Sequence, residues 1–235
     1  MKPADRSLLF EQQQAFYAGS VNRAVLALVP TRSVVLDIGC GDGSLDRALM
    51  VKGCEVYAVD VAPSAVAQAS GRGVVAARCD VEEDALPFGS RRFDAIVLAD
   101  VLEHLLQPER VLCKAVARLA PEGALIVSLP NVANWRIRLA LLFGMFNYRP
   151  SGILDRTHLR FYTDRTAKEL FRAVGLEAQD RSFVFNFPPL LGRVDLLYRL
   201  LAFCNRPFYR FTAFQLVYRL RPARSRPLDL SRSHS

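Results

Sequence analysis

Between residues 33 and about 130, short apolar runs rich in β-branched residues alternate with stretches of helical periodicity, which restricts the chain to few architectures. Ser33–Ile38 (SVVLDI) reads as a strand covered on both faces, and Glu55–Asp60 (EVYAVD), Val74–Asp80, Phe93–Ala99 (FDAIVLA) and Ala124–Leu129 read as four further strands. Helices are predicted between them over Ser44–Lys52, Pro63–Ser70 and Glu109–Leu119, with Pro108 as a start signal and Gly123 as a stop. Strands separated by helices of this length form parallel βαβ units, so the predicted fold class is α/β with a doubly wound sheet. After Pro130 the rhythm breaks. Residues 131–162 are too long for an ordinary connection. Thr163 signals the N-cap of a helix to Val174, and Arg181–Phe187 and Ala213–Leu220 read as two further strands.

The chain has 235 residues, 51% apolar and 23% charged, which describes a folded domain and not a disordered one. Its net charge of +8 invites a nucleic-acid or membrane-surface reading until the charge is located. Residues 1–135 carry 13 basic and 16 acidic side chains, whereas 136–172 carry 8 and 3 and 193–235 carry 9 and 2. The positive charge therefore belongs to two C-terminal blocks. Five cysteines without a C-x-x-C pair predict reduced thiols in a cytoplasmic protein, with no disulfide framework and no metal cluster. Residues 1–14 show no apolar signal core, and no apolar run approaches the ~18 residues of a bilayer span. The tail 222–235, rich in Arg, Pro and Ser, is expected to be disordered.

Strand one runs into Asp37-Ile38-Gly39-Cys40-Gly41-Asp42-Gly43-Ser44. Glycines at such a strand-to-helix turn let the backbone approach a ligand closely, and the helix N–H groups point to the same place. A dinucleotide fingerprint requires G-x-G-x-x-G, and Ser44 stands at its third glycine. Asp60 ends strand two, where a carboxylate takes ribose hydroxyls, and Asp80 ends strand three, where one can accept from an adenine amino group. Three acids in one crevice repel a pyrophosphate and welcome a nucleoside with a cationic end.

These blocks resemble the class I S-adenosylmethionine-dependent methyltransferases over roughly residues 30–185. The matching stretches are VVLDIGCGDGSL (34–45), YAVD ending at Asp60, CDVEEDALPF (79–88), FDAIVLADVLEHL (93–105) and PEGALIVSLPN (121–131). The resemblance implies a Rossmann-like sheet of seven strands, mostly parallel with an antiparallel last strand, and insertions after strand five and between strands six and seven. It implies one methyltransferase domain over 1–221: N-terminal helices in 5–29, a cofactor-binding core in 30–130, an acceptor lid in 131–162 and an arm in 188–212. S-adenosylmethionine is the implied cofactor. Gly39 and Gly41 would hug its methionine part, Asp37 would face its amino group, Asp60 with Val61 would hold the ribose, and Asp80 with Val81 the adenine. Cys40 would be a small filler, Ala99 and Asp100 would flank the sulfonium, and His104 would reach the methionine carboxylate. Glu103 is expected to cap and pack a helix start.

The acceptor side is less legible. Strand four ends LADVLEH, unlike the N/D-P-P-Y of enzymes that methylate exocyclic amines. The stretch after strand five resembles a subgroup found with bacterial surface-polysaccharide functions, among W-like and ubiquinone-type O-methyltransferase relatives, although it departs from the W-type pattern. His158, one of three histidines, reads either as a general base for a hydroxyl or, with Asp155, as a pin for the lid. Asn131, Asn134, Trp135, Arg156 and Arg160 are the candidate acceptor contacts, and the Arg block suits an anionic acceptor such as a sugar phosphate or lipid-linked glycan. Residues 194–212, where aromatics and leucines interleave with Arg199, Arg206 and Arg210, suit an anionic membrane surface, a homodimer arm or packing on the sheet. Nucleic acid is the least favoured partner. The expected activity is O-methylation of a small-molecule or glycan hydroxyl; the alternatives are an RNA methyltransferase and a catalytically silent binding module.

Overall fold

A computed structural model describes residues 19, 21–186, 201 and 203–223. The elements through the first half are α1 (Arg23–Leu28), β1 (Val34–Ile38), α2 (Ser44–Val51), β2 (Glu55–Asp60), α3 (Pro63–Gly71), β3 (Val75–Arg78), β4 (Phe93–Ala99), a 3-10 turn (Leu102–His104), α4 (Pro108–Val116) and β5 (Leu119–Pro130). Then come α5 (Trp135–Leu142), α6 (Asp164–Ala173), β6 (Leu176–Phe185), a second 3-10 turn (Arg206–Phe208), the single turn α7 (Tyr209–Thr212) and β7 (Ala213–Pro222).

The seven strands lie in the order β3-β2-β1-β4-β5-β7-β6. β1 to β5 are parallel, and β7 runs antiparallel to both β5 and β6. Successive strand residues face opposite sides, and both sides are covered. Leu36, Ile38, Ile96, Leu98, Leu125 and Val127 pack with α4 and α6 on one face. Val35, Ala58, Val97, Ile126 and Val217 pack with α1 and α2 on the other. Entry into α6 is fixed by a reciprocal cap: Thr163 Oγ1 accepts from Thr166 N at 3.2 Å while Thr163 N donates to Thr166 Oγ1 at 2.9 Å.

Several boundaries differ from the sequence expectation. β5 begins at Leu119, which pairs with Phe93, so α4 ends at Val116 and Gly123 lies inside a strand. A Cβ there would stand 2.8 Å from the Phe93 carbonyl oxygen; the glycine allows a close backbone approach and is not a helix stop. β3 stops at Arg78, which leaves Asp80 in the turn beyond it. β6 starts at Leu176 and not at Arg181. Of the expected N-terminal helices only Arg23–Leu28 falls in the described residues; residues 5–18, 187–200 and the tail from 224 lie outside them.

Candidate functional site

β1 and β4 are neighbours whose onward connections run to opposite halves of the sheet, and the crevice at their carboxyl ends is where open α/β sheets place ligands. Here it holds a cavity of about 1320 Å³. Its first wall is the glycine-rich turn. Gly39 and Gly41 have φ of +80° and +54°, a region costly for any residue with a Cβ. The N–H groups of Gly39 and Cys40 both donate to Val59 O, at 2.8 and 3.3 Å, tying the turn to β2. Cys40 is buried beside it, and burial pushes its thiol up, so it is inert.

Asp37, Asp60, Val61, Asp80, Val81, Ala99, Asp100 and His104 all line the same cavity as the two glycines and Cys40. Asp60 accepts from Gly41 N at 3.0 Å and Ala62 N at 2.9 Å. Burial raises its pKa above the ordinary carboxylate value, and these N–H groups oppose the rise. Asp80 accepts from Glu82 N at 3.0 Å. Asp100 has φ of +56° and receives Gln215 Nε2 at 2.7 Å; burial lifts its pKa to about 6 against the hydrogen bonds of Ser128 and Gln215.

Gly152 and His158, from the segment between α5 and α6, also line the cavity. His158 is buried, and its Nδ1 lies 3.0 Å from Ile153 O. A carbonyl oxygen can only accept, so Nδ1 carries the hydrogen and Nε2 presents a lone pair. Burial lowers the pKa of this imidazole, outweighing the hydrogen bond to Ile153 and the charge of Asp155, and keeps it neutral near pH 7. Its Nε2 stands 3.9 Å from Glu103 Oε1, and its ring meets that of His104 edge-on with centroids 4.8 Å apart. Neither Glu103 oxygen has a hydrogen-bond partner although the side chain is buried. Burial, then the charge of Asp100, raises the Glu103 pKa well above the usual range. Glu103, His104 and His158 place one ligand atom each within 4.8 Å of one another, a set that could also hold a cation.

Glu103 was expected to pack a helix start, and it instead turns its carboxylate into the cavity wall. Only a fold that brings residue 158 against residue 103 reveals it. The aromatic lining from Phe183, Phe185 and Phe214 on β6 and β7 was equally invisible to motif reading. The residues expected to touch an acceptor do not line the cavity. Asn131 donates to Arg210 O and Ala213 O at 3.2 and 3.0 Å, and Asn134 caps α5 and donates to Thr212 O and Ala213 O. Trp135 is 49% exposed, and Arg156 is exposed. Arg160 donates to Leu105 O and Leu106 O, so its charge caps backbone carbonyls. Asp155 accepts from Thr157 N and Oγ1, both at 2.9 Å, and shapes the turn that carries His158.

A family model described as a methyltransferase domain matches residues 9–180. The chain belongs to this family. It is a class I S-adenosylmethionine-dependent methyltransferase, with S-adenosylmethionine as its cofactor. It is 29% identical over 177 residues to the ubiquinone biosynthesis O-methyltransferase of Cereibacter sphaeroides, covering 72% of this chain and 71% of that one. The Coxiella burnetii protein of the same name is 30% identical over 171 residues, covering 69% and 70%. Among solved structures, an S-adenosylmethionine-dependent methyltransferase from Archaeoglobus fulgidus superposes with a TM-score of 0.62 at 16% identity, over 90% and 93% of the two chains. The magnesium protoporphyrin IX methyltransferase from Synechocystis, solved with bound SAH, gives 0.55 at 15% identity over 92% and 82%. The methyltransferase's cavity suits the cofactor chemically. A Cβ on Gly41 would meet nothing within 4 Å, leaving backbone open to a ligand, and the buried Asp37 Oδ1 and Asp100 Oδ1 are acceptors with no partner.

Proposed function

We propose that this methyltransferase acts on a hydroxyl group and that His158 is the base. The observation that carries the reading is the tautomer: Ile153 O holds the Nδ1 hydrogen, and burial keeps the ring neutral, so a basic Nε2 faces the cavity. Bound S-adenosylmethionine supplies the electrophilic methyl group on its sulfonium. Asp37, Gly39, Gly41, Asp60 and Asp80 would hold it, aligning the reacting atoms. His158 would take the hydroxyl proton at Nε2, which stands 3.9 Å from Glu103 Oε1. Arg23 is the only Arg or Lys among the described lining residues, which favours an uncharged hydroxyl on an aromatic or glycan framework over a phosphate-bearing acceptor. The acids on the same wall weigh against RNA. The names of the curated relatives support O-methylation.

The test is transfer of labelled methyl from S-adenosylmethionine to a panel of phenols, glycosides, amines and RNA, with His158→Ala beside wild type. Methyl ether products, lost in the variant while S-adenosylhomocysteine still binds, are expected. Label confined to amines or RNA, or unchanged turnover in the variant, would refute the reading.

We also propose peripheral contact with an anionic membrane. Residues 188–200 and 202 of the expected arm lie outside the described residues, but Phe203, Phe208 and Phe211 are exposed beside Arg206 and Arg210. α5 has no buried residue and adds Leu139 and Leu142, with Phe143 exposed just after it. Apolar side chains rimmed by arginine suit anionic headgroups, whereas two copies would bring like charges together. No helix among the described residues is long and apolar enough to cross a membrane.

A further inference from the structure

Asp46 lies in the first turn of α2 and is fully buried at 0% exposure, yet it does not line the cavity. It shares the buried face of α2 with Ser44, Leu45 and Leu49. The Asp46 side chain meets that of Asp37 at the end of β1, which does line the cavity. Neither Asp46 oxygen has a hydrogen-bond donor, and neither does Asp37 Oδ1. Two carboxylates in contact, both buried and without an outside donor, cannot both be ionised. One proton must sit between them, with one carboxyl O–H donating to the other carboxylate.

We propose that Asp46 is a positioning residue for the cofactor: it shares one proton with Asp37, and the state of that shared site sets how strongly Asp37 attracts the cofactor's ammonium group. This rests on the reading that Asp37 meets the amino-acid end of the cofactor. The direction of the shifts agrees. Burial, then the neighbouring Asp46, raises Asp37 well above the ordinary range, and burial lifts Asp46 to about 6. The other groups acting on the pair are Asp60 from β2, Asp42 from the glycine-rich turn and Arg72 at the end of α3. The Cys40 thiol, held protonated, stands beside both. The β2 and β4 residues paired with Asp37, Ala58 and Val97, are apolar.

With one proton the pair carries a single negative charge; with two it is neutral. Binding of a cationic ammonium to the neutral pair requires a proton to leave, so affinity falls on acidification. The ligand's own α-amino group, with an ordinary value near 8, stays protonated throughout pH 5–7.

The experiment is calorimetric titration of the full chain with S-adenosylhomocysteine from pH 5 to 7.5, in buffers of different ionisation enthalpy so that released protons are counted. For wild type, affinity should drop about tenfold per pH unit below the midpoint of the pair, with proton release approaching one per ligand. In Asp46→Asn the side-chain amide donates to Asp37 and keeps it ionised. That variant should bind equally well across the range and release no proton. Loss of Asp46 as a merely structural residue would lower affinity or stability but leave the proton count unchanged. Asp46→Asn retaining the wild-type pH profile would overturn the proposal, because Asp60 or Asp100 would then be the titrating group. A wild-type protein with flat affinity and no proton release would overturn it without any variant, should the variant not fold. Absence of binding by wild type at every pH would instead remove the cofactor-site reading itself.

Discussion

Replacement of Gly39 by alanine tests how the cofactor turn is coupled to the acceptor end of the cavity. At φ +80°, alanine enters the left-handed region at a cost of about 1–2 kcal/mol. Its Cβ would also lie 2.6 Å from Val101 Cγ2, and a β-branched side chain has little rotameric freedom with which to withdraw. Overpacking of this kind costs about 1–3 kcal/mol, so the total expected loss is roughly 2–5 kcal/mol. Gly41→Ala provides the control. Its φ of +54° carries the same backbone cost, but a Cβ there meets nothing within 4 Å. It should destabilise by only about 1–2 kcal/mol while occupying cofactor space. Urea unfolding at constant m-value should rank Gly39→Ala well below Gly41→Ala, and calorimetry with S-adenosylhomocysteine should show Gly41→Ala losing at least tenfold in affinity. Val101→Ala, which makes room, should restore about 1 kcal/mol or more in the Gly39→Ala background. Because Val101 directly precedes the turn carrying Glu103 and His104, its displacement should also disturb the pair formed with His158. Equal stability of the two glycine variants, or no rescue by Val101→Ala, would refute the steric reasoning.

Asp60→Ala removes the acceptor assigned to the ribose diol; two charge-assisted hydrogen bonds at about 1.5–3 kcal/mol each predict at least a hundredfold weaker S-adenosylhomocysteine binding, and equal titration curves would contradict it. Asp164 accepts from Lys168 at 2.7 Å and from the hydroxyls of Tyr209 and Tyr218 at 2.9 and 3.0 Å. Burial alone would raise its pKa, but these hydrogen bonds hold it below the ordinary value. A depressed carboxylate adds stability above its unfolded value and loses it as pH falls through the folded one, so the wild-type melting temperature should drop more between pH 7 and pH 3 than that of Asp164→Asn; parallel curves would argue against this. Anionic vesicles should pellet the wild-type methyltransferase at low salt and release it at high salt. Phe203→Ser combined with Phe208→Ser should weaken pelleting, and indifference of wild type to the vesicles would end the membrane reading.

The cofactor half was legible because its determinants are local. β-branched runs, glycines at a strand-to-helix turn and carboxylates near strand ends keep their meaning within a few residues of sequence. β6 escaped over residues 176–180 because it is an edge strand paired only with β7, and its exposed Glu177-Ala178-Gln179-Asp180-Arg181 shows no apolar alternation. The acceptor half depends on contacts across long sequence separations. Nothing near Glu103 announces that it will face His158, and nothing near Arg160 announces that it will cap the carbonyls of Leu105 and Leu106. Arginine density suggested an anionic ligand, whereas Arg160 and Arg138 spend their guanidinium groups on backbone oxygens.

The sheet order has a consequence for synthesis. β7 is the last of the described strands to be made, yet it lies between β5 and β6 and supplies Gln215 to Asp100 in the cavity wall. Until residues 213–222 leave the ribosome, β6 has no neighbour to pair with, β5 is left with an open edge, and Asp100 lacks its amide donor. The growing chain can assemble β1 to β5 and the glycine turn early, but it cannot complete the cavity before β7 is inserted. An interval therefore exists in which the open edge of β5 and the unpaired β6 are available to other chains.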